Sequence, residues 1–232
     1  MLENVVIGPM TEDFILWRCL HGGPLSEQSI NELPVKRREA WEKRRTMHIP
    51  LLKEIIDTYG TCGILARDGE HVVGSLRFYP KEVCSPGQLC LQGSPTGPSE
   101  HVKTKRPLPS LDQIEDKTLM VHCMSTGSPF QENNPYQRKG LGTQMVKELI
   151  CWAKENGWEA IEANAVEDLS ILYEHTGQGG KRFWEKLGFH AVETHTQERG
   201  GPVLEKAREQ AAARGLDPDV AVTWRMSRDL AE

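Results

Sequence analysis

Between residues 133 and 149 the sequence reads NNPYQRKGLGTQMVKEL, in which Gln137, Arg138 and Lys139 run directly into Gly140-Leu141-Gly142 and then into an amphipathic stretch. A thin turn opening a helix is chemistry for an anion. The first backbone N–H groups of a helix have no internal partner, point outward and lie at the positive end of the dipole. Gly140 and Gly142 bring no β-carbon that would hold a phosphate away, so the amides from Gln137 through Leu141 to Thr143 can form a cradle. Arg138 and Lys139 add charge-assisted contacts at its rim. Spacing rejects two phosphate motifs. A P-loop needs G-x-x-x-x-G-K-[ST], which neither this turn nor HTGQGGKR further on supplies, and a dinucleotide fingerprint needs a third glycine where Thr143, Gln144 and Met145 follow.

The turn must be held by the elements around it. KTLMVHCMS, apolar nearly throughout, reads as a central strand ahead of it, and behind it Leu141, Met145, Leu149, Ile150, Trp152 and Ala153 share one helical face that ends at Asn156-Gly157. WEAIEANA is the next strand, followed by a glycine-rich segment, a short helix KRFWEKL stopping at Gly188, and the strand FHAVETH. Upstream, CGILARDGEHVVGSLRFY is a hairpin turning at Asp68-Gly69. NVVIGPM is a strand before it, Thr11 caps a helix through Phe14, Ile15, Trp17, Arg18 and Leu20, and a longer helical stretch from Leu33 is interrupted at Pro50. Residues 80 to 113 are irregular, QLCLQ adding a strand within them. A helix from Pro202 to Gly215 and the strand VAVTWRMS close the chain. The pattern predicts an α/β fold on a mixed sheet.

At 232 residues, one domain over 1–232 is expected. A formal net charge of -5 with both signs spread along the chain argues against a nucleic-acid binder. The basic run Lys36 to Arg45 is interleaved with Glu39 and Glu42 at helical pairing distances, which reads as a solvated helix face. No run reaches the roughly 18 to 20 apolar residues of a membrane span, and the start lacks a signal peptide's pattern, so a cytoplasmic protein without a membrane partner is expected. Cys19, Cys62, Cys84, Cys90, Cys123 and Cys151 form no C-x-x-C pair and read as reduced thiols, and the histidines lack zinc-ligand spacing, so no metal is expected.

Gln137-x-x-Gly140-x-Gly142 resembles the acetyl-coenzyme A signature of the GNAT superfamily of N-acetyltransferases, [RQ]-x-x-G-x-[GA]. Downstream, KRFWEKLGF at 181–189 resembles the second signature of that family, LYEKLGF, in the right order and context. The resemblance implies the acyl-CoA N-acyltransferase fold, with a mixed, mostly antiparallel sheet of about six to seven strands flanked by helices, and insertions at about 80–116 and 197–216. It implies acetyl-coenzyme A as co-substrate and a primary amine on a small molecule as acceptor, attacked directly through a tetrahedral intermediate; it allows a homodimer. A catalytically silent acyl-CoA-binding sensor is the alternative.

By the same resemblance the coenzyme arm lies along KTLMVHCMS, where Cys123 through its backbone, Met124 and Ser125 polarise the thioester. Asn164 hydrogen-bonds the arm, and Phe183 and Trp184 pack beside it. His122 suits a base for the amine proton, with Glu82 and Glu115 as lesser candidates. Strand alternation puts His122 and Cys123 on opposite faces. Trp184 stands where the family places a tyrosine acid, and indole cannot serve as one. The leaving thiolate is then protonated by water, Tyr173 or Cys123, or departs unassisted.

Overall fold

The computed structural model describes residues 4–17, 34–82, 107–127, 134–176, 178–196, 202–216 and 222–231. An eight-stranded sheet runs through them: β1 (Val5–Pro9), β2 (Gly63–Asp68), β3 (His71–Pro80), β4 (Thr118–Thr126), β5 (Ala160–Val166), β6 (Gly179–Gly180), β7 (His190–Thr196) and β8 (Val222–Asp229). The order is β1-β2-β3-β4-β5-β8-β7, with β6 beside β5. Pairing is antiparallel except between β4 and β5 and between β5 and β6. The mixed, mostly antiparallel α/β architecture expected from the sequence is present. It has one strand more than the six to seven expected, because β6 is two glycines and carries no alternation to read. The QLCLQ strand, at 88–92, lies outside the described residues.

Among the described residues five α-helices accompany the sheet: α1 (Val35–Tyr59), α2 (Leu141–Glu155), α3 (Ser170–Thr176), α4 (Lys181–Glu185) and α5 (Pro202–Ala213). The predicted face of α2, extended by Val146, is buried, and the helix lies across β1 to β4. A second, smaller apolar cluster joins Val166, Leu169 and Leu172 to Ala207 and Ala211 of α5.

Two sequence expectations fail for traceable reasons. Helix α1 runs through Pro50 without interruption. Proline removes one N–H and crowds a carbonyl at a cost of about 3 kcal/mol. Beyond it, however, Leu51, Leu52, Ile55, Ile56 and Tyr59 are buried, each contributing roughly 1.5–3 kcal/mol, and that sum wins. The helix expected after Thr11 is absent at residues 11–17, and its expected continuation from residue 18 lies outside the described residues. There the backbone is committed elsewhere: Leu16 N donates to Met10 Sδ at 3.3 Å, and the Leu16 carbonyl accepts from the Arg77 guanidinium.

The third correction bears on chemistry. Arg77 pairs with Cys123, yet the next residue, Phe78, pairs with Val121, so His122 is an extra residue on β4. Paired residues share a face. Val121 lies with Phe78, whose ring is 5.4 Å from that of Trp152 on α2, and Met124 lies with Leu76 close to Gly142 of α2. Two residues between them instead of one leave both His122 and Cys123 on the side away from α2. Strict alternation had separated these two; the bulge reunites them. The His122 ring sits 5.9 Å from that of Tyr79 on that side.

Candidate active site

The parallel ladder between β4 and β5 covers four rungs, from Thr118↔Ala160 to Val121↔Ala163, and then stops. Beyond it β4 stays with β3 as far as Thr126, while β5 stays with β8 and takes β6 alongside. The strands part, and a cavity of about 450 Å³ adjoins the divergence. One wall is Met124, Ser125, Thr126 and Gly127; the next is Tyr136, Gln137, Arg138 and Gly140 to Thr143; the last is Tyr173, Gln178, Gly179, Gly180 and Phe183.

The glycine turn is built as its composition demands. Gly140 is the N-cap of α2 with φ +82°, and among the described residues no side chain caps the helix. A β-carbon there would meet none of the described residues within 4 Å. The left-handed backbone, rather than lack of room, therefore selects glycine. Arg138 also has a positive φ, 56°. The first helical bond of the turn runs from Gln144 N to Gly140 O at 3.1 Å. The amides of Leu141, Gly142 and Thr143 precede it and have no carbonyl within the helix to bond. Asn134 fixes the turn by donating from Nδ2 to Thr126 O at 2.9 Å and accepting Tyr136 N at 3.0 Å. Tyr136 in turn donates its hydroxyl to Asp68 Oδ2 at 2.7 Å, which raises its pKa. The cradle is thus tied both to the end of β4 and to the β2–β3 hairpin.

On the opposite wall Tyr173 donates its hydroxyl to Asp168 Oδ1 at 2.5 Å. Burial, followed by that bond and the negative charges of Asp168 and Glu167, pushes the Tyr173 pKa well up, against a smaller opposing effect of Arg214. A β-carbon at Gly180 would stand 2.0 Å from Asp168 Oδ1 and 2.2 Å from the Tyr173 hydroxyl, so only glycine admits this pair against the backbone. Arg182 Nε lies 3.7 Å from Asp168 Oδ2.

Of the residues singled out from sequence, Met124, Ser125, Gln137, Arg138, Gly140, Leu141, Gly142, Thr143, Tyr173 and Phe183 line this cavity. Lys139, His122, Cys123, Asn164 and Trp184 are not among its lining residues. Lys139 is exposed beside the turn, and Asn164 is exposed on β5 opposite Arg225. Trp184 is 1% exposed, with its ring centroid 5.1 Å from Phe183 and 4.9 Å from Phe189. Its Nε1 has no hydrogen-bond partner among the described residues. Packing is its role, and Phe183, the neighbour of that core residue, reaches the cavity in its place. Glu82 and Glu115 do meet, Glu115 N donating to Glu82 Oε2 at 3.2 Å, but neither lines the cavity. Sequence reading missed Thr126, Gly127, Tyr136, Gln178, Gly179, Gly180 and the buttress Asp168. The paired glycines at 179–180 were the available signal.

On the sheet face shared with Tyr79, Lys81 Nζ bonds Glu162 Oε1 at 2.6 Å and lies 3.3 Å from Asp116; Arg225 extends the chain of charges, 3.8 Å from Glu162 and 3.2 Å from Glu193. Among the described residues no group of three or more histidine, cysteine or acidic side chains is arranged to hold a metal ion, and no helix is long and apolar enough to cross a membrane.

No protein-family model matches the sequence, and no curated protein matches it. Among solved structures the chain is similar to Ard1 from Thermoplasma volcanium, with 9% identity, 99% of each chain covered and a TM-score of 0.47. It is similar also to an IAA acetyltransferase from Bacillus cereus, with 12% identity over 97% of this chain and 99% of that one and a TM-score of 0.45. A third is a GNAT family acetyltransferase from Elizabethkingia anophelis with acetyl-CoA bound, with 14% identity over 98% and 99% of the two chains and a TM-score of 0.42.

Proposed function

We propose that the chain is an N-acetyltransferase of the GNAT type, acting as a single domain, that moves acetyl from acetyl-coenzyme A to the primary amine of a small molecule. One observation carries the reading: the uncapped N-terminus of α2, opened by Gly140 in the left-handed conformation, faces the same cavity as the end of β4 where β5 has left it. The amides of Leu141, Gly142 and Thr143 suit a pyrophosphate, with Arg138 at the rim. The edge of β4 past Val121 suits an extended polar arm that pairs as a strand would. Residues of both kinds on one cavity of about 450 Å³ fit a long ligand with an anionic end.

Acetyl-coenzyme A, when bound, supplies an activated thioester. The chain's part is to aim it, to polarise its carbonyl through the β4 backbone around Cys123 and Met124, and to take the amine proton. The bulge favours His122 for that last task, since it stands on the face away from α2 next to the parting of the strands. Trp184, enclosed and without an ionisable group, donates no proton to the thiolate. Tyr173 has already committed its hydroxyl proton to Asp168. Water, Cys123, or departure as thiolate, remains for the leaving group.

The absence of an acid at Trp184 also favours a second reading, an acyl-CoA-binding sensor without turnover. Incubation with acetyl-coenzyme A and a panel of small amines separates the two: free thiol released with at least one amine supports transfer, while tight binding with no release for any amine supports the sensor. Absence of binding overturns both.

A further inference from the structure

We infer that Asp168 and Tyr173 form a hydrogen-bond-accepting pair that positions an amide N–H of the coenzyme's arm, an inference that rests on the coenzyme reading above. A tyrosine hydroxyl has one proton to donate and two lone pairs to offer. The proton of Tyr173 is directed to Asp168 Oδ1 at 2.5 Å, a short bond to a carboxylate. Toward the cavity, which Tyr173 lines, the phenolic oxygen therefore presents lone pairs and not a donor.

The surroundings hold that polarity. Gly180 permits the approach, because any β-carbon would overlap both oxygens. Three charged groups act on the pair: Glu167 precedes Asp168 and accepts its N–H at 3.1 Å, Arg182 lies 3.7 Å from Asp168 Oδ2, and Arg214 donates to the Asp168 carbonyl at 2.8 Å. Asp168 itself is anchored by these contacts and sits outside the cavity lining. It is a positioning residue that acts through Tyr173. The ligand chemistry that satisfies an acceptor here is an N–H. Of the coenzyme's two parts in this cavity, the nucleotide end offers anions for the α2 amides, and the arm carries amide N–H groups for Tyr173.

The test measures binding of free coenzyme A, and of adenosine 3′,5′-bisphosphate as the nucleotide end without the arm, to the full chain by calorimetry. Tyr173→Phe is expected to weaken coenzyme A about five- to tenfold, the worth of one hydrogen bond, while leaving the bisphosphate unchanged. Asp168→Ala should weaken coenzyme A by a similar factor, Asp168→Asn should restore most of it because the amide oxygen still accepts, and Asp168→Ala added to Tyr173→Phe should cost nothing further. A wild type that binds coenzyme A while Tyr173→Phe binds it equally well overturns this inference and leaves the coenzyme reading intact. Equal loss of both ligands also overturns it, since the pair is then structural. A wild type that binds neither ligand overturns the coenzyme reading and this inference with it.

Discussion

Val121 pairs with Ala163, and that is the last rung between β4 and β5. One residue later on β4 comes His122, the bulged position, so the end of the parallel ladder and the break in alternation coincide. The coincidence has a mechanical sense. A bulge twists its strand, and added twist at the last shared rung swings the end of β4 away from β5.

If His122 takes the amine proton, His122→Ala should lower kcat by about 100-fold, at the small end of general-base effects, with the affinity for coenzyme A unchanged. Stopped-assay kinetics alongside equilibrium binding separate the two. Unaltered kcat would make His122 a partner of the Tyr79 ring and nothing more.

Gly142→Asp should abolish coenzyme A binding, by at least about 100-fold, without unfolding the chain. A β-carbon at Gly142 meets Met124 Sδ at 3.4 Å, ordinary contact, so the fold accepts the side chain while its carboxylate confronts the phosphate. Gly140→Ala should do something different. It strains a left-handed residue and costs about 1–2 kcal/mol of stability in denaturant titration.

Trp184→Ala should destabilise the protein by about 3–5 kcal/mol, since the ring is enclosed between Phe183 and Phe189. Trp184→Phe should cost less than about 2 kcal/mol, because it also removes an indole N–H that has no partner among the described residues. Its kcat for acetyl transfer should be within about twofold of wild type. A large fall in kcat with the stability preserved would mean that the indole touches the reacting groups after all.

The Lys81–Glu162 contact predicts a pH dependence of stability. Burial lowers the Lys81 pKa, but the bonds and charges of Glu162 and Asp116 outweigh it, and the net shift is upward from 10.5. A cation whose folded pKa is raised stabilises fully below the unfolded value and loses that contribution as pH rises through the folded one. Urea unfolding should therefore show an alkaline decline above about pH 10.5 that is reduced in Glu162→Gln. At neutral pH the same variant should lose about 2 kcal/mol, between the values for exposed and for buried pairs. An identical alkaline limb in the two proteins would assign the decline to other groups.

Much of the fold was legible because its signals are local. The face of α2 follows from spacing alone, the hairpin turn from Asp68-Gly69, and the glycine cradle from Gln137-x-x-Gly140-x-Gly142, since each depends on residues close in the chain. The same locality explains the errors. Pro50 looked like an interruption because the burial that overrides it comes from residues far along the chain, such as Trp158 against Tyr59, and the depth of Trp184 was hidden because a motif position carries no record of it.

The sequence by itself determined that a helix begins at a glycine turn behind a central strand, because backbone conformation at Gly140 and apolar periodicity are properties of a few consecutive residues. Only the tertiary structure decided where β4 and β5 part, that His122 and Cys123 share a face, and that Asp168 holds the proton of Tyr173. The first two depend on register between strands, and the third, though it joins groups five residues apart, depends on the bare Gly180 backbone packed against them; such distances are fixed by packing and not by order along the chain.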